Sequence, residues 1–122
     1  LARLLERLDG GSRYLQRLSV RQGARTQLVP VANIELFEAE ANYVRLWAGE
    51  KSVLLRETLS NLEQQLDPAR FQRVHRSLIV QVARVIEAES LGSGEYVLRL
   101  ASGRKITTGR SYREAVQQRL GL

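Results

Sequence analysis

From Leu18 onwards the hydrophobic pattern never keeps one period for long: short runs succeed one another, each cut off by turn residues. Leu18 to Arg21 is followed by Gln22-Gly23-Ala24, and Thr26 to Val29 is closed by Pro30, which is the layout of a hairpin. Ile34 to Ala39 and Tyr43 to Trp47 come next, and Gly49-Glu50 turns the chain into Ser52 to Leu55. Strands resume with Phe71 to Val74, Leu78 to Val82 and Val85 to Ala88. Tyr96, Leu98 and Leu100 then alternate with Val97 and Arg99 between two glycine-bearing turns, and Ile106 to Thr108 returns as a meander.

Helical spacing is confined to three short stretches. Leu1, Leu4, Leu5 and Leu8 share one face before Gly10-Gly11 stops the pattern. The chain opens inside this segment with leucine, so residues 1–14 are expected to be a linker helix from a preceding domain, and 15–122 the folded domain. Thr58 caps a second helix carrying Leu59, Leu62 and Leu66, with Pro68 beyond its end. Its outer residues, Asn61, Glu63, Gln64 and Gln65, are neutral to acidic, which suits packing on a sheet better than insertion in a DNA groove. Ser111 and Glu114 have capping-box spacing ahead of a last helix that ends at Gly121. The reading is a mainly β fold with two short helices and a linker helix, lacking the consecutive helices of a helix-turn-helix.

At 122 residues the chain suits one domain with a core of its own. The absence of cysteine excludes disulfides, thiolate metal sites and thiol nucleophiles, and nothing argues for an oxidising compartment, so a cytoplasmic location is expected. No apolar run approaches the roughly 20 residues needed to span a bilayer, and no membrane role is expected. The net charge of +6 favours a polyanionic partner. Lys51 and Lys105 are the only lysines among the nineteen basic residues, a bias that either serves phosphate and guanine recognition or reflects a GC-rich genome. The cations cluster: Arg70, Arg73, Arg76 and Arg84 form one stretch without an acid, and Arg99, Arg104, Lys105, Arg110 and Arg113 a second. Residues 33–66 are acidic on balance.

The inventory offers little for catalysis. His75 is the sole histidine and the only aspartates are Asp9 and Asp67, so a Ser-His-Asp set is improbable. Glu38 and Glu40 lie on one strand face without a further ligand at useful spacing, and no phosphate-cradling glycine motif occurs. No enzymatic activity, metal or cofactor is expected.

In Phe71-Gln72-Arg73-Val74-His75-Arg76-Ser77-Leu78-Ile79-Val80-Gln81, a polar His-Arg-Ser interrupts two apolar strands, where a loop or bulge projects side chains from a sheet edge. Arg76 and Arg110 are the candidate base readers, because arginine donates two hydrogen bonds to guanine O6 and N7. The competing reading for Arg76 is a surface ion pair. Arg110, just before Ser111 and a helix start, is a candidate for positioning phosphate as well. Asn42 suits either adenine recognition or a backbone turn. Arg73, Arg104, Lys105 and Arg113 are candidate phosphate contacts or solvated surface charges. His75 reads as a loop brace more than a base contact.

The His-Arg-Ser stretch closely resembles the signature of the LytTR DNA-binding domain. Ile34 to Val44 looks like that family's opening core strand, Leu59 to Leu66 like its helix, and Gly103 to Tyr112 like its closing hairpin and basic turn. The resemblance covers roughly residues 17–119. It implies an elongated β-β-β arrangement of small, mostly antiparallel sheets, with loops entering successive major grooves. It also implies sequence-specific binding of double-stranded DNA, as direct repeats and as a homodimer, by the output domain of a bacterial two-component response regulator whose regulatory domain lies N-terminal. By position, Asn42, Tyr43 and Val44, His75 to Ser77 and Arg110 map to the DNA-contact loops, and Ser111 is a further candidate contact beside Arg110. Ala41, Gln81 and Gly109 depart from the residues common there. A single-strand or RNA-binding sheet and a protein-interaction module are the alternative functions.

Overall fold

The computed structural model describes Arg3, Leu4 and residues 13–122. Among these residues three antiparallel sheets and two helices succeed one another, with strands where the short apolar runs predict them. The first sheet joins β1 (Arg3–Leu4), β2 (Arg17–Gln22) and β3 (Arg25–Pro30) in that order. The central sheet has five strands, β4 (Leu36–Glu40), β5 (Tyr43–Ala48), β6 (Lys51–Leu55), β7 (Phe71–His75) and β8 (Leu78–Gln81), in the order β6-β5-β4-β8-β7. Helix α1 (Leu59–Gln65) connects β6 to β7. The third sheet contains β9 (Val85–Ser90), β10 (Tyr96–Leu100) and β11 (Lys105–Thr107), and α2 (Arg113–Leu120) closes the chain.

The central sheet is covered on both faces, which divides the core in two. On one face Phe37, Val44, Leu46, Leu55 and Ile79 meet the β2–β3 hairpin and α1. On the other, Leu36, Val74, Leu78 and Val80 meet Leu98, Leu100 and Ile106 of the third sheet and Val116 of α2. Double coverage explains the unbroken apolar run Leu78-Ile79-Val80, since a strand buried on both faces has no side left for polar residues. Phe37 and Phe71 pack edge to face with ring centroids 5.6 Å apart, a geometry worth about 1 kcal/mol beyond the area buried.

Helix α1 begins as expected: the Thr58 hydroxyl accepts from the Asn61 N–H at 3.1 Å. Two other helical expectations need correction. Arg3 and Leu4 are extended and pair with Ser19 and Leu18, so the N-terminal segment is not helical there; Leu1, Leu5 and Leu8 lie outside the described residues. The Ser111–Glu114 capping box does not form, because a tight 3-10 turn over Arg110–Tyr112 satisfies the Tyr112 and Arg113 N–H groups from the Gly109 and Arg110 carbonyls. Helix α2 therefore starts at Arg113 without a side-chain cap and ends at Gly121, whose φ of +72° is the left-handed stop glycine favours. Among the described residues no helix is long and apolar enough to cross a membrane.

Candidate nucleic-acid interface

Strand register gathers three polar turns at one end of the molecule. Phe37 pairs with Ile79 and Glu38 with Leu78, so β4 leads into its Ala41–Asn42 turn beside the Arg76–Ser77 turn of β7–β8. The Ala39 N–H donates to the Ser77 carbonyl at 2.9 Å and joins the two. The third turn, Arg110–Tyr112, is joined through a bulge. Register in β7–β8 shifts between Arg73 and His75, leaving Val74 opposite no residue of β8. The Val74 carbonyl accepts instead from the Gly109 N–H at 2.9 Å.

Gly109 fits this close approach with little room to spare. A Cβ placed there would lie 3.3 Å from His75 Cδ2 and 3.8 Å from His75 Cα, although the backbone at Gly109 is ordinary, with φ of −88°. At Gly94 the Cβ position lies 3.3 Å from Cδ of Arg113 and 3.8 Å from Cγ of Arg110, so the β9–β10 loop joins the same end.

The His-Arg-Ser turn is held from within. The Ser77 N–H donates to His75 Nδ1 at 3.1 Å, and Ser77 Oγ lies 2.9 Å from the same nitrogen. Accepting the amide proton requires a lone pair on Nδ1, which assigns the ring proton to Nε2. The ring thus braces its own turn. Arg73 braces it from outside: Nε donates to the His75 carbonyl at 3.2 Å, an Nη group donates to the Arg76 carbonyl, and the other pairs with Glu63 of α1 at 2.8 Å. The acidic outer residue of α1 is thereby used to anchor the loop.

The side chains left without partners are the informative ones. Among the described residues Arg76, Arg110 and Arg113 are exposed and make no side-chain hydrogen bond or ion pair. Asn42 is exposed too, and its amide makes no hydrogen bond. Of the nearby carboxylates among the described residues, Glu114 in the first turn of α2 is exposed and unpaired, while the two on β4 are engaged. Glu40 accepts from Arg45 at 2.6 and 3.2 Å, and the Arg45 hydrogen bond holds its carboxyl below the usual range. Glu38 accepts from the Trp47 indole at 2.9 Å.

Two expected contact residues are redirected. Val44 is fully buried, because its side chain faces α1 and the hairpin; among Asn42 to Val44 only Asn42 and Tyr43 are exposed. Arg104 turns inward, its guanidinium 3.5 Å over the Trp47 ring and its Nε 3.9 Å from the buried Glu35 carboxylate, an ion pair without a hydrogen bond; the carboxylate accepts from the Ser102 hydroxyl. With Lys105 it lies at the end of the third sheet away from Gly109. Ser111 is exposed in the third turn. Gln81 braces the start of β4 instead of the basic turn, donating to the Ala32 and Ile34 carbonyls at 3.1 and 2.8 Å.

Sequence reasoning missed Arg119. It donates to the Pro68 and Ala69 carbonyls at 2.7 and 2.9 Å and pins the end of α2 to the loop before β7. A bond between residues some fifty apart leaves no local signal.

The profile of the LytTr DNA-binding domain family matches residues 24–121, nearly the whole of this three-turn body. The chain is a LytTr DNA-binding domain. It is 32% identical over 99 residues to the CO-responsive transcriptional regulator RcoM of Rhodospirillum rubrum, covering 80% of this chain and 42% of that protein. It is 30% identical over 112 residues to the positive alginate biosynthesis regulatory protein of Pseudomonas aeruginosa, covering 90% of this chain and 45% of that one. The chain thus spans less than half the length of these curated relatives. In fold it is similar to the LytTr DNA-binding domain of a methyl-accepting/DNA response regulator from Bacillus cereus, with a TM-score of 0.79 at 21% identity over 88% of this chain and 98% of that one.

Proposed function

We propose that this LytTr domain reads double-stranded DNA by base sequence, with the Asn42, Arg76 and Arg110 turns lying in the major groove. Arg76 and Arg110 are assigned to guanine edges, Asn42 to an adenine edge, and Arg113, Ser111 and Tyr43 to the flanking backbone. The observation that carries this is the pair of exposed, unpartnered guanidinium groups on two turns locked to each other through Gly109 and Val74. The backbone bond holds the two turns at one spacing, so binding has to order only the arginine side chains and not the turns that carry them. Arg73, His75 and Ser77 act as positioning residues, since their polar atoms are engaged with the turn itself. Arg104 and Lys105, at the other end of the third sheet, are not included.

The relatives are named as transcriptional or biosynthetic regulators. By that analogy the domain is the output part of a bacterial regulator, follows an N-terminal regulatory domain, works in the cytoplasm and pairs on direct repeats. It performs no catalysis in this role.

The test is a binding selection from genomic fragments, followed by affinity measurements on the selected duplex and a scrambled one. Arg76→Ala and Arg110→Ala are each expected to lower the ratio of the two affinities by roughly tenfold or more, the loss of one bidentate base contact. An unchanged ratio would remove the base-reading assignment.

A further inference from the structure

We propose that Arg56 and the ring of Tyr43 form a phosphate-binding site that carries the duplex backbone past the reading turns towards the start of α1. This site rests on the duplex-reading role proposed for the three turns and adds an element, the end of β6, that no motif singled out. Val44 pairs with Leu55 in the β5–β6 ladder, so Arg56 follows directly opposite Tyr43 and stands next to the Ala41–Asn42 turn. Its guanidinium carbon lies 6.0 Å from the Tyr43 ring centroid, at the outer limit of a cation–π contact, and both side chains are exposed. Arg56 makes no hydrogen bond or ion pair among the described residues.

Beside it lies an open depression of about 420 Å³ lined by Asn42, Tyr43, Arg56, Glu57 and Thr58 among others. The acid in that lining is occupied at the helix start, where one Glu57 carboxylate oxygen accepts from the Thr58 N–H at 2.9 Å and from the Asn61 amide at 3.0 Å. Glu40, on the other side of the turn, is held by Arg45. The cation of Arg56 is therefore left facing solvent beside the Tyr43 ring. A phosphodiester entering the depression meets the Arg56 guanidinium and the free amide of Asn42, a charge-assisted contact blind to base identity.

The measurement is duplex affinity as a function of salt, on the selected and the scrambled DNA. Each phosphate neutralised contributes about −0.9 to the slope of log affinity against log salt. Arg56→Ala is expected to lower the steepness by about that amount and to weaken both duplexes by the same factor, roughly fivefold at moderate salt. Arg56→Lys keeps the charge and should keep most of the slope. Tyr43→Leu removes the ring, and should weaken both duplexes with the slope retained. An unchanged slope in a folded Arg56→Ala domain, or a changed ratio between the two duplexes, overturns the phosphate assignment. Failure of the unsubstituted domain to prefer any duplex would instead strike the base-reading role of Arg76 and Arg110.

Discussion

The N–H of Gly109 donates to the carbonyl of Val74, and that one backbone bond fixes the Arg110 turn against the His-Arg-Ser turn. It exists because a bulge takes Val74 out of the β7–β8 pairing, and the seat is tight: a Cβ at residue 109 would lie 3.3 Å from the His75 ring. Two arginines separated by more than thirty positions thereby acquire a fixed spacing.

Filling that seat should separate the turns. Gly109→Val places branched carbons against the His75 ring and backbone, and is expected to cost about 1–3 kcal/mol of stability as overpacking does. The ratio of affinities for selected and scrambled duplex should fall as well. Urea unfolding and duplex titration check the two effects, and a variant with native stability and native ratio would contradict the seat.

Arg73 offers a test of bracing as opposed to contact. Arg73→Lys retains a charge that pairs with Glu63 but gives up the forked donation to the His75 and Arg76 carbonyls. Losing about 1 kcal/mol of loop order should reduce duplex preference by roughly fivefold. The salt slope should stay the same, since the charge is conserved. Duplex preference left intact by Arg73→Lys, together with a slope lowered by about 0.9 in Arg73→Ala, would mark Arg73 as a phosphate ligand instead.

Arg104→Ala should behave in the opposite way. Its removal leaves Glu35, 1% exposed, with only Ser102 against its carboxylate, and takes a stacked guanidinium off Trp47. Breaking a buried pair of this kind costs about 3 kcal/mol. The midpoint of chemical denaturation is expected to drop while the salt dependence of DNA binding at a temperature where the variant is folded does not change.

Ala41 adopts φ of +54°, the left-handed region where a Cβ crowds the following carbonyl. Ala41→Gly should relieve that strain and raise stability by about 1 kcal/mol, net of the extra freedom glycine has when unfolded. Denaturant midpoints decide the sign: a less stable glycine variant would show that other contacts of the turn outweigh the strain.

Much of the fold was legible because its determinants are local. Two-residue alternation, the turn glycines and the Thr58 cap act within a few positions, so strand order and α1 could be read along the chain. The His-Arg-Ser interruption was visible for the same reason, as polar residues breaking an apolar run. The exceptions are also physical. The capping box at Ser111 fails because docking on Val74 draws the preceding backbone into a 3-10 turn, a constraint that comes from residue 74 and not from the helix itself.

The sequence by itself determined a cation-rich chain of short strands with two acid-free arginine stretches, since charge and period are properties of the residues alone. Only the tertiary structure decided which cations are spent internally. Arg73 meets Glu63, Arg104 meets Glu35 and Trp47, and Val44 faces a core because layers pack on both sides of its sheet. Arg76 and Arg110 keep their donors because no acid or carbonyl from elsewhere in the fold reaches them among the described residues. Pairing and burial depend on neighbours distant in sequence, and those are set by how sheets stack.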